Sequence, residues 1–158
     1  MRIGILGGTG PAGTALGARL SSVGYEVVLG SRSKYRALEV RDQIVEQWSD
    51  LNLTMEAADN EGAAQADLVV IATPWDSAAT TASMVGGYLA GKVVISMANA
   101  LIRVGHEFQP LVPPRGSVAA HVQAAVPQCR LVAAFHHLPA KELGHLGEPI
   151  DSDVLICS

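Results

Sequence analysis

Residues 8–13 read Gly8-Thr9-Gly10-Pro11-Ala12-Gly13, which fits the pattern G-x-G-x-x-G. Alone, that pattern occurs by chance. Here a short apolar run, Arg2–Leu6, precedes it, and Ala15, Leu16, Ala18, Leu20 and Val23 follow with helical spacing. Gly24 is placed to cap that helix, and a second apolar run, Tyr25–Leu29, comes next. Strand, glycine turn, helix and strand form the context in which this motif cradles the pyrophosphate of a dinucleotide. In such a turn Gly8 permits the tight bend, Gly10 lets the backbone approach the pyrophosphate, and Gly13 lets helix and strand pack closely. Pro11 falls in the first helical turn, where its missing N–H costs nothing. The helix N-terminus then turns free N–H groups and a partial positive charge toward the phosphates.

The rest of the chain continues the alternation. A charged helix is predicted over Lys34–Trp48, a strand over Leu51–Ala58, a short helix over Asn60–Ala66 and a strand over Asp67–Ala72. A loop, Thr73-Pro74-Trp75-Asp76, opens a helix that runs through Tyr88, and Lys92–Met97 is again a strand. Ala98–Pro114 reads as irregular, broken by Gly105, Pro110, Pro113 and Pro114. A helix over Ser117–Val126 and strands over Arg130–Phe135 and Asp153–Cys157 complete the prediction. This pattern defines an α/β protein: a Rossmann-type doubly wound, mostly parallel sheet with helices on both faces. Residues 1–135 are expected to form the dinucleotide-binding domain. Residues 136–158 are expected to begin a C-terminal segment, and the halt at Ser158, just after a predicted strand, suggests that more of that segment is missing.

Composition narrows the function. The 158 residues are 49% apolar and 16% charged, enough to bury a core and too apolar for a disordered chain. A net charge of -4 argues against a nucleic-acid partner. Cys129 and Cys157 are too few for a disulfide scaffold, no apolar run is long enough to span a bilayer, and the N-terminus lacks a signal-peptide pattern. The expected setting is the reducing cytoplasm.

The end of the second strand selects the cofactor. An NAD site usually places Asp or Glu there to bind the ribose 2′-OH. This chain has Gly30-Ser31-Arg32-Ser33-Lys34-Tyr35-Arg36, with no acid from Val27 to Leu38. Arg32, with Ser31 and either Lys34 or Arg36, can hold a 2′-phosphate through charge-assisted hydrogen bonds, each worth about 1.5–3 kcal/mol. The expected cofactor is therefore NADP(H). Thr73, Pro74 and Trp75 follow a strand, where ligands of doubly wound sheets lie; the Pro-Trp pair reads either as a wall for ribose and nicotinamide or as core.

Other chemistries find little support. The five histidines show no i, i+4 pair and no H-E-x-x-H, so no metal site is expected. There is no G-x-S-x-G elbow, and Cys129 opens a buried strand, where a thiol is inert. His136 and His137 end a strand on the edge where the cofactor belongs, which makes His136 the candidate contact for a second substrate, against the alternative of a partly buried structural histidine.

Taken in order, Met1–Gly10, the Gly30-Ser31-Arg32 turn, Thr73-Pro74-Trp75 and Phe135-His-His-Leu-Pro139 resemble the NADPH-dependent F420 reductases, also called F420:NADP oxidoreductases, over essentially the whole chain. The resemblance implies a Rossmann domain that binds NADP through the glycine loop and the Ser-Arg turn, with Thr9, Ser31, Arg32 and Arg36 as contacts. It implies hydride transfer between NADP(H) and the deazaflavin coenzyme F420. His136, Leu138 and Pro139 would line the deazaflavin pocket, a C-terminal segment would complete it, and the protein would be a homodimer. Two alternatives stand beside it. One is another NADP-dependent reductase of the same superfamily, acting on an imine or a metal chelate. The other is a non-catalytic NADP-binding protein.

Overall fold

A computed structural model describes residues 1–158. Strands β1 (Arg2–Leu6), β2 (Glu26–Ser31), β3 (Met55–Asp59), β4 (Leu68–Ile71), β5 (Val93–Ser96), β8 (Arg130–Ala134) and β9 (Ile156–Cys157) form one sheet in the order β3-β2-β1-β4-β5-β8-β9. All neighbours are parallel except β8 and β9. The direction of winding reverses between β1 and β4, so the crevice above that pair is the topological switch point where such sheets bind ligands. The separate pair β6 (Leu101–Val104) and β7 (Glu107–Pro110) is an antiparallel hairpin outside the sheet.

Alternation along the strands sends side chains to two cores. Leu6, Val28, Val69, Ile71 and Val94 face helices α3 (Asn60–Ala64), α4 (Trp75–Met84), α5 (Gly86–Leu89) and α6 (Val118–Ala125). Ile3, Ile5, Val27, Leu29 and Val70 face α1 (Pro11–Ser22) and α2 (Lys34–Gln47). The second face has a further cover. After β8 the chain crosses the sheet as a strap containing the short helix α7 (Ala140–Leu143), and Leu143 is buried beside Ala15 and Leu16 of α1. Leu138, Leu146 and Ile150 pack on the same core.

Small residues set the spacing of these layers. A Cβ on Gly4 of β1 would lie 1.9 Å from the Ala63 carbonyl oxygen, so α3 rests directly on the strand backbone.

Besides dividing the helix predicted through Tyr88 into α4 and α5 and adding α7, the structure differs from the predicted elements at three places. The third strand begins at Met55, because Leu51 and Leu53 are held in tight turns and the Thr54 N–H donates to Ser21 Oγ at 2.7 Å. The last strand shrinks to Ile156–Cys157, because only Ala133 and Ala134 of β8 remain available before Phe135 turns the chain away. The stretch predicted as irregular contains the β6–β7 hairpin, closed by Gly105 at φ 61. Its strands bury nothing, so apolar alternation could not reveal them.

Substituting Gly4→Ala should cost about 2–3 kcal/mol through overpacking against α3. A thermal melt should show a fall of roughly 5–10 °C in Tm for a chain of this size.

Candidate functional site

The glycine turn joins β1 to α1 above the switch point. Its geometry corrects one detail of the sequence assignment. The left-handed residue is Gly7, at φ 70, with Thr73 Cγ2 only 2.6 Å from where its Cβ would stand. Gly8 serves a different purpose: its N–H donates to the Gly30 carbonyl at 2.8 Å, which seats the turn on β2. Gly13 has the expected role, since a Cβ there would lie 2.8 Å from Gly8 Cα. Gly10 is open. An added Cβ would meet nothing nearer than the Gly7 carbonyl oxygen at 3.6 Å, so the space above it is free.

Helix α1 starts without a side-chain cap and without an acid in its first turn. Pro11 has no N–H, and the Thr14 N–H is used by the Gly10 carbonyl at 2.8 Å. The amides of Thr9, Ala12 and Gly13 have no backbone acceptor. These uncapped donors, with the positive end of the helix dipole behind them and open space at Gly10, fit a bound pyrophosphate. Asn60, which sequence reasoning missed, supports the turn from below by accepting the Gly7 N–H at 3.2 Å.

At the end of β2, Ser31 is buried and its Oγ accepts the Ser33 N–H at 3.3 Å, which fixes the turn. Arg32 is exposed and joins no ion pair. Arg36, in the first turn of α2, lies 2.7 Å from Glu39 in an exposed pair. Such pairs contribute little and yield readily to a phosphate. The donor set at this turn is cationic, with Arg32 unpaired, Arg36 held only by the exposed Glu39, and Asp59 beside Ser31 engaged in capping α3, which fits a 2′-phosphate.

Three more polar groups stand along the same edge. Thr73 Oγ1 after β4, Ser96 Oγ at the end of β5, and His136 Nδ1 after β8 are all buried without a hydrogen-bond partner. The register places Leu6, Ile71, Ser96 and Ala133 side by side across the four strands. Three strand spacings carry this row about 14 Å from the glycine turn to the His136 loop. Buried polar atoms without partners cost free energy, and three of them along one edge fit a surface that meets a polar ligand or water.

Between β5, β8, α6 and the foot of the hairpin lies an open cavity of about 580 Å³, lined by Ser96, Asn99, Ser117, Gln123, Leu131 and His136 among others. Its size suits a small organic ligand. Phe135 is the one non-glycine residue at positive φ, 63°, and this unusual backbone turns the chain out of β8 so that His136 faces the cavity. Asn99 donates to the His136 carbonyl at 3.1 Å, and His137 Nε2 lies 2.8 Å from the Asp153 carbonyl oxygen. Ser96 and Asn99 carried no motif in the sequence; only the sheet register brings them to the cavity.

The remaining predicted positions lie apart from the open space. Trp75 is half-buried at the start of α4 and packs on the α3–α6 core. Leu138 packs on the opposite core, beneath the strap. Pro74 and Pro139 precede α4 and α7 as their caps. Cys129 is buried, and burial raises its thiol pKa above the usual value, so it is not a nucleophile at neutral pH. No group of three or more His, Cys, Asp or Glu side chains is placed to hold a metal ion, and no helix is long and apolar enough to cross a membrane.

A doubly wound sheet with a glycine turn at its switch point and a cationic turn at the end of β2 defines a Rossmann-type dinucleotide-binding domain. Residues 2–100 match the model of the family described as NADP oxidoreductase, coenzyme F420-dependent. The F420-dependent NADP reductase of Methanocaldococcus jannaschii is 32% identical over 162 residues, covering 99% of this chain and 72% of the relative. That of Methanothermobacter thermautotrophicus is 29% identical, covering 100% and 70%. An Arthrobacter crystal structure, provisionally described as an F420-dependent NADP-reductase, superposes with a TM-score of 0.72 at 26% identity, over 88% of this chain and 64% of that one. An imine reductase from Bacillus cereus shares the fold at 18% identity and a TM-score of 0.61, over 89% of this chain and 42% of that one. The chain thus spans under two thirds of the solved chains it resembles. It belongs to the F420-dependent NADP oxidoreductase family.

Gly10 has φ -81 and ψ 163, a conformation alanine adopts freely. Gly10→Ala should leave stability within about 0.5 kcal/mol of wild type. Its methyl group should occupy the pyrophosphate space and weaken NADPH binding about tenfold or more, as read by NADPH fluorescence titration beside a thermal melt.

Proposed function

We propose that this chain catalyses hydride transfer between NADP(H) and coenzyme F420. The observation that carries the reading is the single row of unmet polar groups along one sheet edge. It runs from the free amides of Thr9, Ala12 and Gly13, past Thr73 and Ser96, to His136. Family membership supports the identity of the two ligands.

In this reading the amides of α1 hold the pyrophosphate, and Gly10 keeps the approach open. Ser31, Arg32 and Arg36 hold the 2′-phosphate, with Arg36 exchanging Glu39 for it. Thr73 and Pro74 border the ribose and nicotinamide, while Trp75 and Leu138 support the walls from the two cores. When bound, the cofactors supply the chemistry: a hydride passes between nicotinamide C4 and deazaflavin C5, and the deazaflavin takes up one proton as it is reduced. The chain positions and desolvates; no side-chain nucleophile is needed. Ser96 and His136 orient the polar edge of the second ring from the cavity floor and rim, and Pro139 fixes the turn that carries His136. His136 acts as an orienting and electrostatic group, and the proton comes from solvent or a nearby donor.

A homodimer in the cytoplasm completes the proposal. The exposed apolar side chains of the hairpin, among them Ile102, Val104 and Phe108, support a protein contact.

The direct test mixes the purified protein with NADPH and oxidised F420 and follows the deazaflavin absorbance. Protein-dependent bleaching is the expected result. NADPH binding without bleaching would leave a cofactor-binding domain and overturn the proposed reaction for this chain. Arg32→Ala should weaken NADPH by about 10- to 100-fold, the worth of one charge-assisted hydrogen bond, and NADH far less. Equal losses for the two cofactors would remove 2′-phosphate recognition from this turn.

A further inference from the structure

Arg19 lies in the last turn of α1, and its guanidinium makes no ion pair. It donates instead to four backbone carbonyls of the strap. Nε reaches Leu143 O at 2.9 Å, Nη1 reaches Glu148 O at 2.8 Å, and Nη2 reaches Glu142 O at 3.1 Å and His145 O at 2.6 Å. Two of these acceptors, Glu142 and Leu143, belong to the end of the four-residue helix α7; the Glu142 carbonyl also accepts the His145 N–H at 3.2 Å. Leu143, buried beneath them, is the strap's one fully buried apolar anchor.

We infer that Arg19 is a positioning residue for the second substrate: by clamping the strap to the dinucleotide-binding helix, it fixes His136 relative to the bound NADP(H). The inference rests on the reaction proposed above. The geometry supports it in three ways. The strap leaves β8 through the strained turn at Phe135, so the orientation of His136 is set by what holds the chain just beyond it. Other polar ties between the strap and the body are few: Asn99 donates to the His136 carbonyl at its start, and β9 pairs with β8 at its end, while the His137–Asp153 contact lies within the segment itself. Finally, α1 is one continuous helix, and its first turn, proposed above to hold the pyrophosphate, lies about 12 Å from Arg19 along the helix axis. One helix thereby carries the glycine turn at one end and, at the other, holds the strap that follows His136.

The chemistry of the side chain is specific. A guanidinium presents five N–H donors in a planar fork and bridges several acceptors at once. A lysine ammonium offers three donors from one point and cannot span carbonyls spread over Glu142 to Glu148. Arg19→Lys is therefore expected to behave like Arg19→Ala, although it keeps the charge at the helix end. A role confined to helix stability would make the lysine variant resemble wild type.

The test combines amide hydrogen exchange with steady-state kinetics on wild type, Arg19→Ala and Arg19→Lys. In both variants, amides of residues 138–148 should exchange at least about tenfold faster, while those of β1, β2 and β4 keep their protection. The Kd for NADPH should stay within about threefold of wild type, and the KM for F420 should rise about tenfold or more. Millimolar guanidinium should restore part of the F420 KM in the alanine variant. Unchanged exchange in the strap overturns the clamp. A freed strap with an F420 KM within twofold of wild type overturns the positioning role. NADPH Kd and F420 KM rising in step do the same, since they report a general loss of structure. A wild-type protein that binds NADPH and leaves F420 oxidised overturns the functional reading instead, and hydrogen exchange alone then decides whether the clamp exists.

Discussion

The turn from β1 into α1 is the constraint from which the rest of the site follows. Its left-handed Gly7 bends the chain against Thr73, and its Gly8 amide is spent on the Gly30 carbonyl. These two contacts lock the turn to β4 on one side and β2 on the other. The helix that emerges is left with three free amides and no cap. A helix start this open, above the point where the sheet reverses its winding, fits an anion before any side chain is considered. Space for it exists because glycine and alanine hold the layers close, as at Gly4 and Gly13.

From that turn the site extends along one edge of the sheet. Parallel pairing puts the ends of β1, β4, β5 and β8 in register, so residues distant in sequence face the same crevice. Thr73, Ser96 and His136 share a single condition there, burial without a partner. Each would lose free energy in a chain that never bound a polar ligand at this edge. The cationic turn at Arg32 lies at the other end of the row, and the open cavity beside His136 closes it. In the proposed reading the two ends take the two ligands of the family.

The strap gives the site its second layer. It crosses from β8 to α1 on the face that α1 and α2 cover only in part, burying Leu143 and presenting its carbonyls to Arg19. Local sequence offers no sign of this. An arginine in the last turn of a helix reads as an ordinary complement to the helix dipole, and its acceptors are backbone groups that any residues would supply.

The sequence by itself determined the alternation of strands and helices, the glycine turn, the cationic end of β2 and the placing of His136 at a strand end. These follow from local chemistry: apolar periodicity, backbone freedom and charge, all legible over a few residues. It also carried the resemblance to the F420-dependent oxidoreductases, which the family match bears out. What the tertiary structure decided depends on contacts between distant segments. It moved the left-handed residue from Gly8 to Gly7, because the bend is set by Thr73 across the crevice. It resolved a hairpin in residues 98–114, whose exposed strands have no buried face to pattern. It brought Asn60 beneath the turn, Ser96 and Asn99 to the cavity, and Arg19 onto the strap. No local signal marks those four residues, because their partners are chosen by sheet register and by the path of the chain across the fold.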